Sequence, residues 1–341
     1  MNTREYGGID RFRLVAAFLI VGIHTFPLTS VSETLNFAVV NVIARIGVPF
    51  FMMVTGYFVL PRSISPAKGE PWLPTRYLKK TLLAYAGVTI LYLPVSIYAG
   101  HFSKGNIPIT IIKDIIFDGT FYHLWYFPAL IIGITLICVL SRKLPLKAII
   151  GVSAALYMLG LLGDSYYGIA TKIPFAETVY DMGFRVFSYT RNGIFYAPIF
   201  LAMGAAIAKS ERDKSNSRQI NLLGFLISIA LMLTEGLLLH RFSHQRHDSM
   251  YIALIPCMYF LFKFLLTYKT KTSHLSRGAS MWIYILHPLF IVAILPIARI
   301  AHLTRLLVDN SIVHYIAICL LSFASAALII HLLKYYKRGR K

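Results

Sequence analysis

Charged residues are scarce in this chain of 341 residues: they make up 14% of it, and only 14 of them are acidic. Soluble domains carry about a quarter charged residues. This shortage, together with a hydrophobic content of 57%, excludes an ordinary soluble enzyme and a disordered segment. Cysteine is also rare, and all three cysteines, Cys138, Cys257 and Cys319, lie within apolar runs. Their number and placement support neither a disulfide scaffold nor a metal site, so we expect no bound metal.

The chain also lacks short motifs of common soluble enzymes, namely a glycine-rich phosphate loop ending in lysine, the Gly-x-Ser-x-Gly turn and the His-Glu-x-x-His helix. It has instead repeated apolar runs of about 20 residues, the length that crosses the hydrocarbon core of a bilayer. These runs predict an all-α, polytopic integral membrane protein with a single domain over residues 1–341. The ten predicted spans are 14–31, 36–60, 78–99, 124–140, 146–163, 192–208, 220–240, 249–267, 279–300 and 313–333.

The net charge of +20 would indicate a nucleic-acid-binding protein if the chain were soluble. With the N-terminus placed inside, however, 24 of the 34 Lys and Arg residues fall in segments that face the cytoplasm. This distribution follows the positive-inside rule and predicts that both termini are cytoplasmic. The charge therefore indicates membrane orientation and attraction to anionic lipid, and we expect no nucleic-acid partner.

The first span contains the clearest set of polar residues. Arg13 and His24 are eleven positions apart, which places them about 20° from each other on one helix face and about 16 Å apart along the axis. Asp10 precedes Arg13 by one turn and can pair with it. Arg13 is either a snorkelling anchor or a functional cation. His24 is either a structural hydrogen-bonding residue or a general base in a wet cavity.

Four segments carry a resemblance to a known family. They are Asp10 and Arg13 followed by His24, RIGVPFFMMVTGYFV at 45–59, HLWYFPALIIG at 123–133, and SMWIYILHPLFI at 280–291. In this order and spacing the chain resembles acyltransferase family 3, whose membrane-bound members O-acetylate extracytoplasmic sugars and peptidoglycan. Within the family it is most similar to the membrane half of the serine racemases of vancomycin resistance.

The resemblance implies an enzyme of the bacterial cell membrane that transfers an acyl group, acetyl in the first place, from cytoplasmic acyl-CoA to an extracytoplasmic hydroxyl or amino acceptor. Acetyl-CoA or another acyl-CoA is then a donor substrate, and no bound cofactor is expected. In the family the first-span His acts in transfer and the Arg handles the donor. These roles carry over to His24 and Arg13.

A donor with phosphates needs positive groups at the cytoplasmic face, and Arg76, Lys79 and Lys80 are placed to join Arg13 and Asp10 there. Family members often carry Arg-x-x-Arg at this point, whereas this chain reads RYLKK. Lysine keeps the charge but lacks the bidentate fork of arginine. The positive-inside rule explains the same residues without a ligand.

Two further charges lie deep within predicted spans, Arg45 in the second and Glu235 in the seventh. Each is costly alone in hydrocarbon. They either pair to hold helices together or line a substrate cavity. A transporter would use the same pair to hold the carboxylate and ammonium groups of an amino acid.

Aromatic and polar residues gather on the predicted outer side, where an acceptor would bind. His123, Trp125 and Tyr126 open the fourth span and Arg191 precedes the sixth. The alternative for Trp and Tyr is the usual interfacial belt. The segment at 106–121 is predicted to be a short amphipathic helix that lies on or re-enters the outer surface and could cover a cavity.

His287 precedes Pro288 in the ninth span and is the second histidine within a predicted span considered for catalysis. The family shows a His-Pro pair here as well. Because Pro288 frees a backbone carbonyl one turn earlier, the alternative role for His287 is to support a kink. We rank it second to His24 as a catalytic candidate.

The competing function is the supply or transport of L-serine for a racemase, as the closer resemblance implies. No lysine motif of the racemase type for pyridoxal phosphate is found, so racemisation would need a further domain. The end at KYYKRGRK fits either a free C-terminus or a linker to a C-terminal racemase domain in a longer parent chain.

Overall fold

A computed structural model of the chain describes residues 6–65, 71–100, 107–210, 217–269, 271 and 274–338. Within these ranges all regular secondary structure is helical, which confirms the predicted all-α class. The helices, numbered in chain order, are α1 (Gly7–Thr25), α2 (Glu33–Ile64), α3 (Thr75–Tyr98), α4 (Ile107–Lys113), α5 (Tyr126–Leu140), α6 (Leu146–Leu162), α7 (Tyr167–Ala170), α8 (Pro174–Val186), α9 (Ala197–Ser210), α10 (Arg218–Arg241), α11 (Leu254–Leu266), α12 (His274–Ile300) and α13 (Ser311–Arg338).

Five of the described helices are long and apolar enough to cross a membrane: α2, α3, α10, α12 and α13. Four shorter apolar helices, α5, α6, α9 and α11, coincide with further predicted spans. The chain is therefore a multi-pass membrane protein, while the count of ten spans stays a prediction.

Helix α1 is offset from the first predicted span, because it runs over Gly7–Thr25 and not over 14–31. It ends where Phe26 adopts a left-handed backbone with a φ of 49° and its N–H donates to the carbonyl of Gly22. Pro27 follows and has no N–H with which to continue the helix. His24 consequently lies in the last turn of α1.

The helices form two compact units. The first comprises Met1–Phe50, Asn216–Gly236 and Pro256–Lys341, and the second comprises Phe51–Ser215 and Leu237–Ile255. The predicted single domain stays a prediction.

The core of the first unit lies between α1, α12 and α13. Ala17 of α1, Ala279 of α12 and Ala326 of α13 belong to one buried cluster. Such small residues permit close approach of membrane helices. The start of α13 meets the end of α1, since the Ser311 hydroxyl donates to the carbonyl of Pro27 at 2.8 Å.

In the second unit, α2 and α9 approach each other through glycines. A Cβ atom at Gly56 would meet the carbonyl oxygen of Leu201, and one at Gly204 would meet that of Met53. Only glycine permits backbones to pass this closely.

The predicted amphipathic segment at 106–121 begins at a residue outside the described ranges and contains α4. A π-helical turn over Asp114–Asp118 continues this helix. Its carbonyls at Asp114 and Ile115 accept hydrogen bonds from the Tyr85 hydroxyl, both at 3.3 Å. Tyr85 is ten residues into α3, about 15 Å from its start, so the segment packs against the middle of this helix. Whether it lies on the outer surface or re-enters the membrane stays a prediction.

Candidate functional site

A carboxylate held between two arginines lies at the N-terminal end of α1. Asp10 is 3% exposed and pairs through Oδ1 with Nε of Arg13 at 3.5 Å. Its Oδ2 pairs with Nε of Arg277 at 3.1 Å. Two positive charges against one negative charge leave this end of the helix positive, which suits an anionic ligand.

Arg277 is a residue of this cluster that the sequence interpretation missed. It lies in the first turn of α12, and its side chain is 41% exposed. In the sequence it is indistinguishable from the other arginines and lysines that the positive-inside rule explains. Only the packing of α12 on α1 brings it to Asp10.

The other end of α1 carries the two histidine candidates, which the structure brings together. The rings of His24 and His287 stack with their centroids 5.3 Å apart and their planes at 24°. His24 is partly buried and His287 is fully buried. The first and second catalytic candidates thus form a single site.

One nitrogen of His287 is assigned by its backbone contact. Nδ1 lies 3.0 Å from the carbonyl oxygen of Ile283, one turn earlier, and must therefore carry the proton that it donates. In the neutral ring Nε2 then carries the lone pair. The hydrogen bond to Ile283 also fits the alternative role of His287 as a structural residue beside Pro288.

The arrangement shows that α1 and α12 run in the same direction, because Asp10 meets Arg277 at one end and His24 meets His287 further along both helices. Along α1 the cationic end and the histidine end are separated by about 16 Å, the rise over eleven residues. Chemically, one end can bind an anionic group while the other can take up a proton.

The predicted intramembrane charges Arg45 and Glu235 also belong to the first unit. Arg45 is partly buried in a short 3-10 segment, Ile43–Ile46, and its Nε donates to the carbonyl of Asn41 at 3.4 Å. Glu235 is partly buried in α10. Their pairing and their role in a cavity stay predictions.

The predicted donor-binding residues Arg76, Lys79 and Lys80 belong to the second unit. All three are exposed in the first two turns of α3. Exposed lysines and arginines at a helix end fit an interfacial location as well as ligand binding.

Two of the predicted acceptor residues of the second unit, Arg191 and Trp125, lie together, and Tyr189 joins them. The guanidinium of Arg191 lies 5.0 Å from the ring centroid of Trp125 and 4.5 Å from that of Tyr189. These are cation–π distances. Tyr126 is partly buried at the start of α5.

His123 is fully buried and packs among aromatic rings, with centroids 4.9 Å from Tyr92 and 5.7 Å from Phe121. This environment fits a packing role for His123. Whether it contributes to an acceptor cavity stays a prediction.

Asp164 lies just beyond the end of α6 and is 1% exposed. Its Oδ1 accepts the backbone N–H groups of Ser249 at 2.8 Å and Met250 at 3.0 Å. Burial raises its pKa from 3.8 to about 7, although these hydrogen bonds and the charge of Arg191 act in the opposite direction. A carboxyl that titrates near neutrality is a recognised feature of functional sites.

Comparison with known proteins agrees with this architecture. A family model described as an acyltransferase domain of the family 3 type matches residues 6–331. An amino-acid racemase of Enterococcus faecalis is 40% identical over 337 residues, which cover 98% of this chain and 46% of that protein. A serine/alanine racemase of Enterococcus gallinarum is 34% identical over 92% of this chain and 44% of its own length. The chain thus spans less than half the length of these relatives, and no solved structure matches it.

Proposed function

We propose, from the premise that the chain belongs to acyltransferase family 3, that it moves an acyl group from cytoplasmic acyl-CoA to an acceptor on the opposite side of the cell membrane. Acetyl is the acyl group that we favour. The acceptor offers a hydroxyl or amino group. Both termini are placed in the cytoplasm under this proposal.

The stacked pair of His24 and His287 carries the proposal. Acyl transfer to a hydroxyl needs a group that removes a proton near neutral pH, and histidine is the side chain suited to this task. His24 is the proposed base, because it is partly exposed whereas His287 is fully buried. His287 is the neighbouring ring that orients it.

In the proposed step, His24 takes the proton from the acceptor hydroxyl as its oxygen attacks the carbonyl carbon of the thioester. A carbon–oxygen bond forms, and the carbon–sulfur bond breaks. His24 then returns the proton to the departing thiolate, so the products are the acyl ester and free coenzyme A.

The cluster of Asp10, Arg13 and Arg277 is the proposed donor-binding end. Coenzyme A carries phosphates, and arginine binds phosphate through paired N–H groups. Asp10 orients both guanidinium groups by its two ion pairs. Arg76 and Lys80 are further donor-binding candidates. The acceptor candidates are Arg45, Glu235, His123, Trp125, Tyr126 and Arg191.

The test uses the full chain in proteoliposomes with acetyl-CoA and follows release of the coenzyme A thiol, with water or an envelope extract as acceptor. His24→Ala should abolish release while expression and thermal stability stay close to those of the unchanged protein. Retention of full activity by a folded His24→Ala protein would refute the assignment.

A second function is supported by the relatives, which carry the name of amino-acid racemases and are more than twice as long as the matched region. In this alternative the membrane region supplies L-serine to a racemase domain. Uptake of radiolabelled L-serine into proteoliposomes, measured with and without acetyl-CoA, separates the two functions. Uptake that needs no acyl donor and survives His24→Ala favours transport.

A further inference from the structure

The second unit contains an apolar cavity that none of the predicted functions uses. It has a volume of about 460 Å³ and lies between α3, the π turn that follows α4, and α5. Its walls include Leu82, Ala86 and Ile90 of α3, Ile116 of the π turn, and Ile131 and Ile132 of α5.

The few hydroxyl groups in the wall are already engaged with protein partners. Thr89 and Thr120 share a hydrogen bond of 2.7 Å between their hydroxyls. The Tyr85 hydroxyl donates to the carbonyl of Asp114 at 3.3 Å. A buried water needs two to four polar partners, so this cavity does not provide a suitable site for water.

The cavity is open to the surface of the unit, because residues of its wall are exposed, such as Ile115 at 48% and Ile116 at 43%. The side of α3 around it is rich in exposed apolar residues, for example Leu82 at 57% and Ile90 at 70% exposure. Since α3 is apolar enough to cross a membrane, the substance that meets this surface is hydrocarbon.

A positive charge lies directly above the cavity on the same helix face. Lys79 is exposed and is separated from Ala86 by about 20° around the helix and about 10 Å along it. Lys80 is about 120° away from Ala86 on the same scale. A lipid whose phosphate lies beside Lys79 can therefore extend its hydrocarbon chain along Leu82 and Ala86.

We propose that this cavity binds one acyl chain of an anionic membrane phospholipid whose phosphate pairs with Lys79. The proposal assigns Lys79 to a lipid headgroup and not to the acyl donor. The lipid fills the space between the π turn and α3 and holds the two together. The inference does not depend on acyl transfer, and its test uses no acceptor.

Titration of the purified full chain with phosphatidylglycerol, followed by native mass spectrometry, measures the binding. Ala86→Phe places a ring in the cavity, and Ile132→Phe does the same from the opposite wall in case the first variant fails to fold. Leu91→Phe is the control, since Leu91 faces lipid about 140° from Ala86. Lys79→Gln tests the headgroup contact, and Lys80→Gln removes the same charge from another face.

The unchanged chain should bind one phosphatidylglycerol more tightly than phosphatidylcholine. Ala86→Phe and Ile132→Phe should weaken binding by about tenfold or more, the scale of several excluded methylenes. Lys79→Gln should remove the preference for the anionic lipid, whereas Leu91→Phe and Lys80→Gln should bind as the unchanged chain does.

Three results would overturn the proposal. Equal losses for Ala86→Phe and Leu91→Phe would show only general lipid contact. Equal effects of Lys79→Gln and Lys80→Gln would remove the headgroup assignment. If palmitoyl-CoA displaces bound phosphatidylglycerol at a lower concentration than added phosphatidylglycerol does, the cavity binds the acyl donor and not the lipid.

Discussion

The imidazole ring of His24 stacks on that of His287 with centroids 5.3 Å apart, although the two residues come from the first and the twelfth described helices. Their contact makes one site out of two separate candidates. The two rings differ in burial and therefore in the expected consequences of their removal.

His287→Leu should affect both stability and activity, whereas His24→Leu should affect mainly activity. His287 is fully buried and donates to the carbonyl of Ile283, so its loss should cost about 1–3 kcal/mol of unfolding free energy. His24→Leu should lower acyl transfer by about 10²–10⁴-fold, the range for a general base. Thermal unfolding and coenzyme A release, measured on the same preparations, check both expectations. Unchanged stability of His287→Leu contradicts the structural part.

Arg13→Gln should raise the KM for acyl-CoA by about tenfold, because a charged hydrogen bond contributes about 1.5–3 kcal/mol. The matched control is Arg11→Gln, which removes the same charge from an exposed neighbouring position. Initial rates over a range of acetyl-CoA concentrations separate KM from kcat. If both variants raise KM equally, general surface charge and not the Asp10 cluster attracts the donor.

Asp164 should make the second unit less stable as pH rises. Burial raises its pKa from 3.8 to about 7, so between these values the folded chain holds a proton that the unfolded chain releases. The stability that this raised pKa supplies is fully present below about pH 4 and is lost as the pH rises through the pKa of the folded state. It amounts to about 1.4 kcal/mol for each unit by which the folded and unfolded pKa values differ.

Asp164→Asn should therefore flatten the fall in melting temperature between pH 4 and pH 8. The charged and titratable neighbours that face Asp164, Arg191 and His247, remain in this variant. Asp181→Asn, at an exposed carboxylate, should leave the profile unchanged. Identical pH profiles for the unchanged chain and Asp164→Asn contradict the raised pKa.

Gly204→Ala should destabilise the protein, while Gly87→Ala should be neutral or stabilising. A Cβ at Gly204 meets the carbonyl oxygen of Met53, which is backbone and cannot turn aside, whereas one at Gly87 meets nothing within 4 Å. We expect a loss of about 1–3 kcal/mol in the first case and a gain of up to about 1 kcal/mol in the second. Thermal unfolding in one detergent compares the two. A stable Gly204→Ala protein would argue against the close crossing of α2 and α9.

Much of the fold could be predicted because membrane helices appear in the sequence as long apolar runs. The relation between Asp10, Arg13 and His24 could also be predicted, since a single helix fixes their spacing. The start of α1 could not be read from hydropathy, because its first turns contain glycine and charged residues.

Contacts between distant helices could not be predicted from local patterns. The meeting of His24 with His287, and of Asp10 with Arg277, depends on the packing of α12 against α1 through small residues such as Ala17 and Ala279. The apolar pattern of either helix does not identify the helix against which it packs. For the same reason the cavity beside α3 could not be predicted, because its walls come from three separate segments.

The shared direction of α1 and α12 has a topological consequence. If both cross the bilayer, α1 ends on one side while α12 starts on the other, so the chain between Thr25 and His274 must cross an odd number of times. Helix α13 then returns antiparallel to α12, as the contact of Ser311 with Pro27 requires. The total number of crossings from α1 to α13 is then even, and any reporter-fusion map should find Gly7 and Arg338 in the same compartment.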